Sequence, residues 1–239
     1  MRIDKYLAHA GYGSRNDCKQ LLKDKAVQID GVLVKDAKTK VDIQAQVVTV
    51  RGTVAEYKEF IYLMMNKPGD CLSATKDKSG RTVIDLLSED YLKYAPVPAG
   101  RLDRDTEGLM LLTNDGALVH GIISPKKEVY KRYVAKISGE LTEEGKAKLE
   151  SGVQILDGQN EPFTTKPAKV EMLGDGLVGI EIAEGKFHQV KRMFASVGCK
   201  VTYLKREAIG ALELDPALGL GECRELTEEE LGLIKDIKK

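Results

Sequence analysis

Gly100-Arg101-Leu102-Asp103-Arg104-Asp105-Thr106-Glu107-Gly108 runs directly into Leu109-Met110-Leu111-Leu112-Thr113 and closes on Asn114-Asp115-Gly116. A charge-dense segment thus feeds an uninterrupted apolar run. The run reads as a strand buried on both faces, and the segment before it as a loop. Such a loop, held by a rigid scaffold, is where a reactive side chain is presented to a cleft. Composition alone does not choose among Asp103, Asp105 and Glu107. Simple pairing of these acids with Arg101 and Arg104 on the surface is the competing reading.

Working outward, Phe60-Ile61-Tyr62-Leu63-Met64-Met65 is a second apolar run, ended by the turn residues Asn66-Lys67-Pro68-Gly69. Further strands are expected at Leu109–Thr113, Tyr133–Ile137, Leu177–Ile182 and Val201–Leu204, and helices at Glu143–Leu149 and Val190–Val197. Strands and helices mix without strict alternation, so the fold class is α+β, not a doubly wound sheet.

The first fifty residues have a different pattern. Ile3, Tyr6, Leu7 and Ala10 fall at helical spacing, and Gly11 and Gly13 end that helix. Ser14, three residues before Asp17, opens a second helix. On it Arg15, Lys19 and Lys23 recur at steps of four and form one cationic stripe suited to a phosphate backbone, opposite Cys18, Leu21 and Leu22. Val27, Ile29, Asp30-Gly31, Val32 and Val34 then spell a hairpin, and Val47–Val50 another strand. These patterns divide the chain into a small unit at 1–51, a polar linker at 52–59 and a larger domain at 60–239.

Charge and composition limit the function classes. The 239 residues are 42% hydrophobic and 31% charged, which suits a globular chain and excludes disorder. Formal net charge is zero, which argues against a nucleic-acid partner until its distribution is read. From Lys186 to Arg206 the cations are Lys186, Lys191, Arg192, Lys200, Lys205 and Arg206, with no Asp or Glu among them, whereas Glu222–Glu230 is rich in Glu. A solvated basic face is the competing reading of that run.

No stretch is apolar and long enough to span a bilayer, and the opening residues do not read as a signal peptide. A soluble, cytoplasmic protein is the expectation. Cys18, Cys71, Cys199 and Cys223 lack metal spacing, as do His9, His120 and His188. Phosphate-binding loops and the nucleophile elbow are absent. No metal and no cofactor is expected.

The segment Gly100–Gly116 resembles the catalytic motif of the pseudouridine synthases, of the branch that modifies small-subunit ribosomal RNA and its large-subunit relatives. The resemblance extends to Asn66-Lys67-Pro68-Gly69, Lys131-Arg132-Tyr133, Glu184-Gly185-Lys186-Phe187-His188-Gln189-Val190-Lys191-Arg192-Met193 and Leu204-Lys205-Arg206-Glu207-Ala208-Ile209-Gly210. At Lys186-Phe187, related sequences often carry Arg-Tyr. The first fifty residues, through Arg2–Leu7, Ser14-Arg15 and Val27–Gly31, resemble the S4 RNA-binding module, with Asp30 where Asn often precedes the turn glycine.

The resemblance implies an S4 domain followed by a catalytic domain with a mixed, mainly antiparallel sheet. It implies isomerisation of uridine to pseudouridine with Asp103 as the catalytic carboxylate. Lys191 or Arg192 would be its cation, Tyr133 would stack on the flipped base, Leu204 would pack the base's other side, and Arg101 would support the site. RNA contacts are expected from Arg2, Lys5, Ser14, Arg15, Lys19, Lys23, Lys67, Lys186, His188, Gln189 and Arg206. The partner would be ribosomal RNA or a small-subunit assembly intermediate, met by a monomer. The opening Met1-Arg2-Ile3-Asp4-Lys5-Tyr6 is more similar to the small-subunit branch. The alternatives are the same reaction on a large-subunit uridine, and a non-catalytic S4-containing ribosome-associated factor.

Overall fold

The computed structural model describes residues 1–124, 127–235 and 237. Two units emerge, one of Met1–Ile61 with Ser88–Ala95, the other of Tyr62–Leu87 with Pro96–Lys239.

In the first unit, α1 (Ile3–His9) buries Ile3, Tyr6 and Leu7 at the spacing expected for one helix face. Its partner α2 (Arg15–Lys23) starts where sequence placed it. Ser14 Oγ accepts from the Asp17 N–H, and the Asp17 carboxylate accepts from the Ser14 N–H, a complete capping box. Cys18 and Leu22 are enclosed and Arg15, Lys19 and Lys23 exposed, so the cationic stripe is real. Strands β1 (Val27–Ile29) and β2 (Val32–Leu33) pair Ile29 with Val32 across Asp30-Gly31, both at positive φ as a tight hairpin requires. β3 (Val48–Val50) and β4 (Thr53–Val54) complete an antiparallel sheet of order β2-β1-β3-β4. The stretch expected as a linker therefore begins with a strand, and Ala55 behind it is buried in this core. A polar composition hid the strand because both its residues are exposed. The short helix α3 (Glu89–Leu92) belongs to this unit too.

The second unit is an α+β domain on a nine-stranded sheet. Its strands are β5 (Tyr62–Lys67), β6 (Val97–Pro98), β7 (Glu107–Thr113), β8 (Lys131–Ser138), β11 (Lys169–Gly174), β12 (Leu177–Ile182), β13 (Lys200–Ile209), β14 (Leu212–Glu213) and β15 (Cys223–Glu225), while β9 (Gln154–Leu156) and β10 (Pro162–Thr164) form a separate ribbon. The main order is β11-β12-β8-β13-β7-β5-β15, with β6 on β7 and β14 on β13. Pairings are antiparallel except β13 with β7. Helices α4 (Gly116–Ile123), α5 (Glu143–Ser151), α6 (Gln189–Ser196) and α7 (Glu228–Lys235) flank the sheet. One core gathers Met64, Leu109, Leu111, Leu118, Ile122, Ile209 and Ile234.

Two boundaries moved for identifiable reasons. The apolar run at Phe60 becomes a strand only at Tyr62, with Phe60 exposed, and continues through Asn66 and Lys67. Those two polar residues are enclosed because each finds backbone acceptors: Asn66 Nδ2 donates to Leu218 O, and Lys67 Nζ is described below. Strand β13 runs well past the expected Leu204, since Arg206 turns inward and its Nε donates to Leu109 O.

The parallel contact between β7 and β13 depends on Gly108. It sits at φ +102°, and a Cβ there would lie 2.2 Å from the Arg206 carbonyl oxygen and 2.8 Å from its nitrogen. Gly31 has a comparable φ of +79° but open space around it. Gly31→Ala should therefore cost only the left-handed strain of about 1 kcal/mol. Gly108→Ala must also push two strands apart, and should cost about 3 kcal/mol or more. Thermal unfolding of both variants checks this, with roughly 2–4 °C of Tm expected per kcal/mol.

Candidate active site

Asp103 lies on the loop from β6 to β7, and that loop is fastened from below at both ends. Ser73 Oγ donates to Leu102 O at 2.9 Å and accepts from the Leu102 N–H at 3.0 Å. On the other side Lys67, fully enclosed, sends its ammonium to three carbonyls: Pro68 O at 2.9 Å, Arg104 O at 3.1 Å and Thr106 O at 2.8 Å. Burial pushes the Lys67 amine below its ordinary value, against the pull of Cys71, Asp105, Glu107 and Asp103. The Thr106 N–H closes the turn on Asp103 O at 3.1 Å. Arg104 reaches Asp70 at 3.0 Å on the exposed side.

The loop forms one wall of a cleft lined also by Arg101, Leu102, Thr106, Tyr133, Ile182, Lys186, His188, Gln189 and Leu204. Tyr133 on β8 and Leu204 on β13 project from one sheet face, because Tyr133 pairs with Arg206 and Leu204 with Ala135. The opposite wall is the turn into α6. His188, the residue before that helix, holds the left-handed conformation at φ 52°.

Asp103 meets two nitrogens from that wall, Lys191 Nζ at 3.5 Å from Oδ2 and His188 Nε2 at 3.6 Å from Oδ1. Lys191 also donates to Asp105 Oδ1 at 2.5 Å, and this hydrogen bond holds the Asp105 carboxyl below the usual carboxylate range. Glu107 accepts from the Tyr203 hydroxyl at 2.8 Å, and burial together with that bond pushes the Tyr203 phenol up to about 12. Of the three acids that composition left open, Asp103 lines the cleft, and Asp105 and Glu107 do not.

Several expected site residues stand elsewhere. Arg192 is not the cation on Asp103. Its guanidinium grips Leu156 O and Asp157 O at the end of β9, with the second at 2.6 Å, because one helical step turns it away from Lys191. Lys67, Gln189 and Arg206 were expected to contact RNA, and all three are enclosed. Lys67 fastens the Asp103 loop, Gln189 spans the Lys186 N–H and Glu184, and Arg206 bonds Leu109 O. Charge patterns in a sequence do not distinguish a cation on a surface from one that satisfies buried carbonyls. In the first unit Ser14 is occupied by its helix cap and Arg2 by an ion pair to Asp4 at 2.8 Å, while Lys5, Arg15, Lys19 and Lys23 are exposed. Sequence reading missed Ser73, Ile182 and the competition of Asp105 for Lys191. It also missed Lys131, whose amine burial and the neighbouring Arg206 push down to about 8.

Residues 61–196 match the family model described as RNA pseudouridylate synthase. The chain belongs to this family. Residues 1–47 match the S4 domain. An uncharacterized RNA pseudouridine synthase of Bacillus subtilis is 51% identical over 99% of both chains. The ribosomal small subunit pseudouridine synthase A of Salmonella typhimurium is 38% identical, covering 98% of this chain and 100% of that one. The ribosomal large subunit pseudouridine synthase B of Bacillus subtilis is also 38% identical, over 96% and 93%. Among solved structures, a pseudouridylate synthase crystal structure superposes with TM-score 0.67 at 36% identity, covering 98% and 99%. The chain is thus an RNA pseudouridine synthase with an S4 domain, an isomerase. Among its described residues no helix is long and apolar enough to cross a membrane.

Lys67→Met keeps the length of this synthase's buried side chain and removes its donors, leaving the Arg104 and Thr106 carbonyls unpaired. Stability should fall by about 2–3 kcal/mol in denaturant unfolding. The turnover rate of the remaining folded enzyme should fall as well, because the loop carrying Asp103 loses its anchor.

Proposed function

We propose that this enzyme isomerises a uridine of small-subunit ribosomal RNA to pseudouridine, with Asp103 as its catalytic carboxylate. The observation that carries the chemistry is the cleft itself. One carboxylate stands on a fastened loop with the Lys191 ammonium 3.5 Å away, above a sheet face bearing Tyr133 and Leu204. The isomerisation breaks the C1′–N1 bond, turns the base and rejoins it through C5, with no redox change. It needs a carboxylate acting on the nucleotide, positive charge beside it, and a ring on which an extruded base can stack. Tyr133 offers that ring, Leu204 an apolar contact, and Arg101 and Lys186 positive charge at the mouth of the cleft. In the first unit the stripe of Arg15, Lys19 and Lys23 suits the phosphate backbone.

Identity does not separate the small-subunit and large-subunit relatives, both 38% identical. The small-subunit reading is favoured by the opening Met1-Arg2-Ile3-Asp4-Lys5-Tyr6. Such a substrate places the enzyme in the cytoplasm with assembling ribosomes.

Asp103→Asn preserves shape and removes the reactive oxygen, so the protein should bind RNA as before and release no tritium from 5-tritiated uridine in a ribosomal RNA transcript. Wild-type release by the variant would overturn the assignment. The target is checked by carbodiimide-dependent primer-extension stops in ribosomal RNA from a deletion strain. One stop should disappear from small-subunit RNA and return on complementation. Loss from large-subunit RNA instead would move the substrate to the other subunit.

A further inference from the structure

We propose that His188 is a second catalytic residue, the base that takes the proton from C5 of the uracil ring once the base has been rejoined to the ribose. The inference rests on the Asp103 cleft being the site of isomerisation, and it concerns a step that Asp103 alone leaves unassigned.

The step follows from atom balance. In uridine N1 is bonded to C1′ and C5 carries hydrogen, whereas in pseudouridine C5 is bonded to C1′ and N1 carries hydrogen. The C1′–N1 bond has broken with its electron pair left on N1, so C1′ is electron-poor; when the turned base attacks it, the C5=C6 pair forms the new C5–C1′ bond and an N1 electron pair forms N1=C6. C5 then holds both C1′ and its original hydrogen. A base must accept that hydrogen as a proton. The C–H pair re-forms C5=C6, the N1=C6 pair returns to N1, and N1 takes up a proton. One proton leaves and one arrives, so no oxidant or co-reactant is required.

The cleft holds few groups with a free electron pair for this purpose, and the Tyr133 phenol that lines it already carries a proton of its own and would have to give that up first. Lys191 is bonded to Asp105 and stands against Asp103, so its ammonium offers donors alone. Asp105 does not line the cleft, and its bond to Lys191 weakens it as a base. Asp103 is engaged in breaking and making the bond to the sugar. His188 lines the cleft, alone among the three histidines, all of which are described. Its Nε2 is 3.6 Å from Asp103 Oδ1, which puts it against the reacting nucleotide. Its side chain is 41% exposed, against 25% for Asp103, so a proton received there passes readily to water.

The imidazole is also held in place. It stacks on Phe187 at 3.8 Å between ring centroids and 19° between planes. The Arg192 guanidinium lies 5.1 Å from the centroid of the Phe187 ring and is itself tied to Leu156 O and Asp157 O. Arg192, one of the two cations considered for Asp103, instead supports a column that runs through Phe187 and His188 to Asp103. The left-handed backbone of His188 is uncommon outside glycine and is the kind of local strain found at functional sites.

The test uses the full chain and a ribosomal RNA transcript carrying either ordinary or 5-deuterated uridine, in single-turnover reactions. His188→Asn and His188→Gly both accept a left-handed backbone, and the glycine leaves room for added imidazole. At enzyme concentrations that saturate RNA binding, each variant should lose about 10²-fold or more in rate, the size of a lost proton-transfer group, whatever it loses in affinity. Each should show a larger deuterium isotope effect than wild type, because removal of the C5 proton has become limiting. Imidazole should restore rate to His188→Gly and leave His188→Asn unchanged. A normal rate in either variant would overturn the proposal. So would a slowed rate with no increase in isotope effect and no rescue, which assigns His188 a structural duty, or an increased effect in Tyr133→Phe in place of the His188 variants. If wild type makes no pseudouridine in any ribosomal RNA while folding normally, the reading of the cleft fails first.

Discussion

Lys67 is an ammonium with no exposed surface, and it fastens the loop that carries Asp103. Removing a charge from water costs several kcal/mol unless the interior supplies partners, and here three carbonyl oxygens supply them. The Arg104 and Thr106 carbonyls follow shortly after Asp103 in sequence, so satisfying the lysine fixes that side of the loop. Ser73 does the same on the Leu102 side. Asp103 thus reaches the cleft from a segment without regular secondary structure that is nevertheless held as firmly as a strand end. The Asp103 carboxylate is positioned by the hydrogen-bonding needs of a different residue.

The second constraint is the contact of β7 with β13, the single parallel strand pairing among the described residues of a sheet otherwise antiparallel. It brings the end of the Asp103 loop alongside the strand that bears Leu204, and β8 with Tyr133 pairs on the far side of β13. Gly108 allows this approach because any side chain would strike the Arg206 backbone. Arg206 then bonds Leu109 O, joining the two strands a second time. The walls of the cleft, distant in sequence, are therefore neighbours for reasons of backbone geometry.

The enclosed cations also change how the charge pattern reads. Lys67, Lys131 and Arg206 fall within segments that resemble the family's motifs, yet all three are enclosed. In the second unit the exposed cations lining the cleft are Arg101 and Lys186, with Lys191 beside Asp103. A run of cations free of acids from Lys186 to Arg206 is in part a surface and in part a set of internal fasteners.

The sequence by itself determined the α+β class, the helix caps and hairpin of the first unit, most strands of the second, and the charged loop that lines the cleft. Each of these rests on local rules: the period of apolar residues, a Ser14–Asp17 box, an Asp30-Gly31 turn, a motif of contiguous residues. Strand β4 escaped those rules because both its residues are exposed, and the inward end of β13 because Arg206 satisfies Leu109 O far along the chain. Only the tertiary structure decided which acid of Asp103, Asp105 and Glu107 faces the cleft. It also decided that Lys191 and not Arg192 stands beside Asp103, and that Lys67 is a fastener. These outcomes depend on a helix's rotation about its axis and on which carbonyls are left unsatisfied when strands meet, quantities of three-dimensional packing that no spacing along the chain encodes.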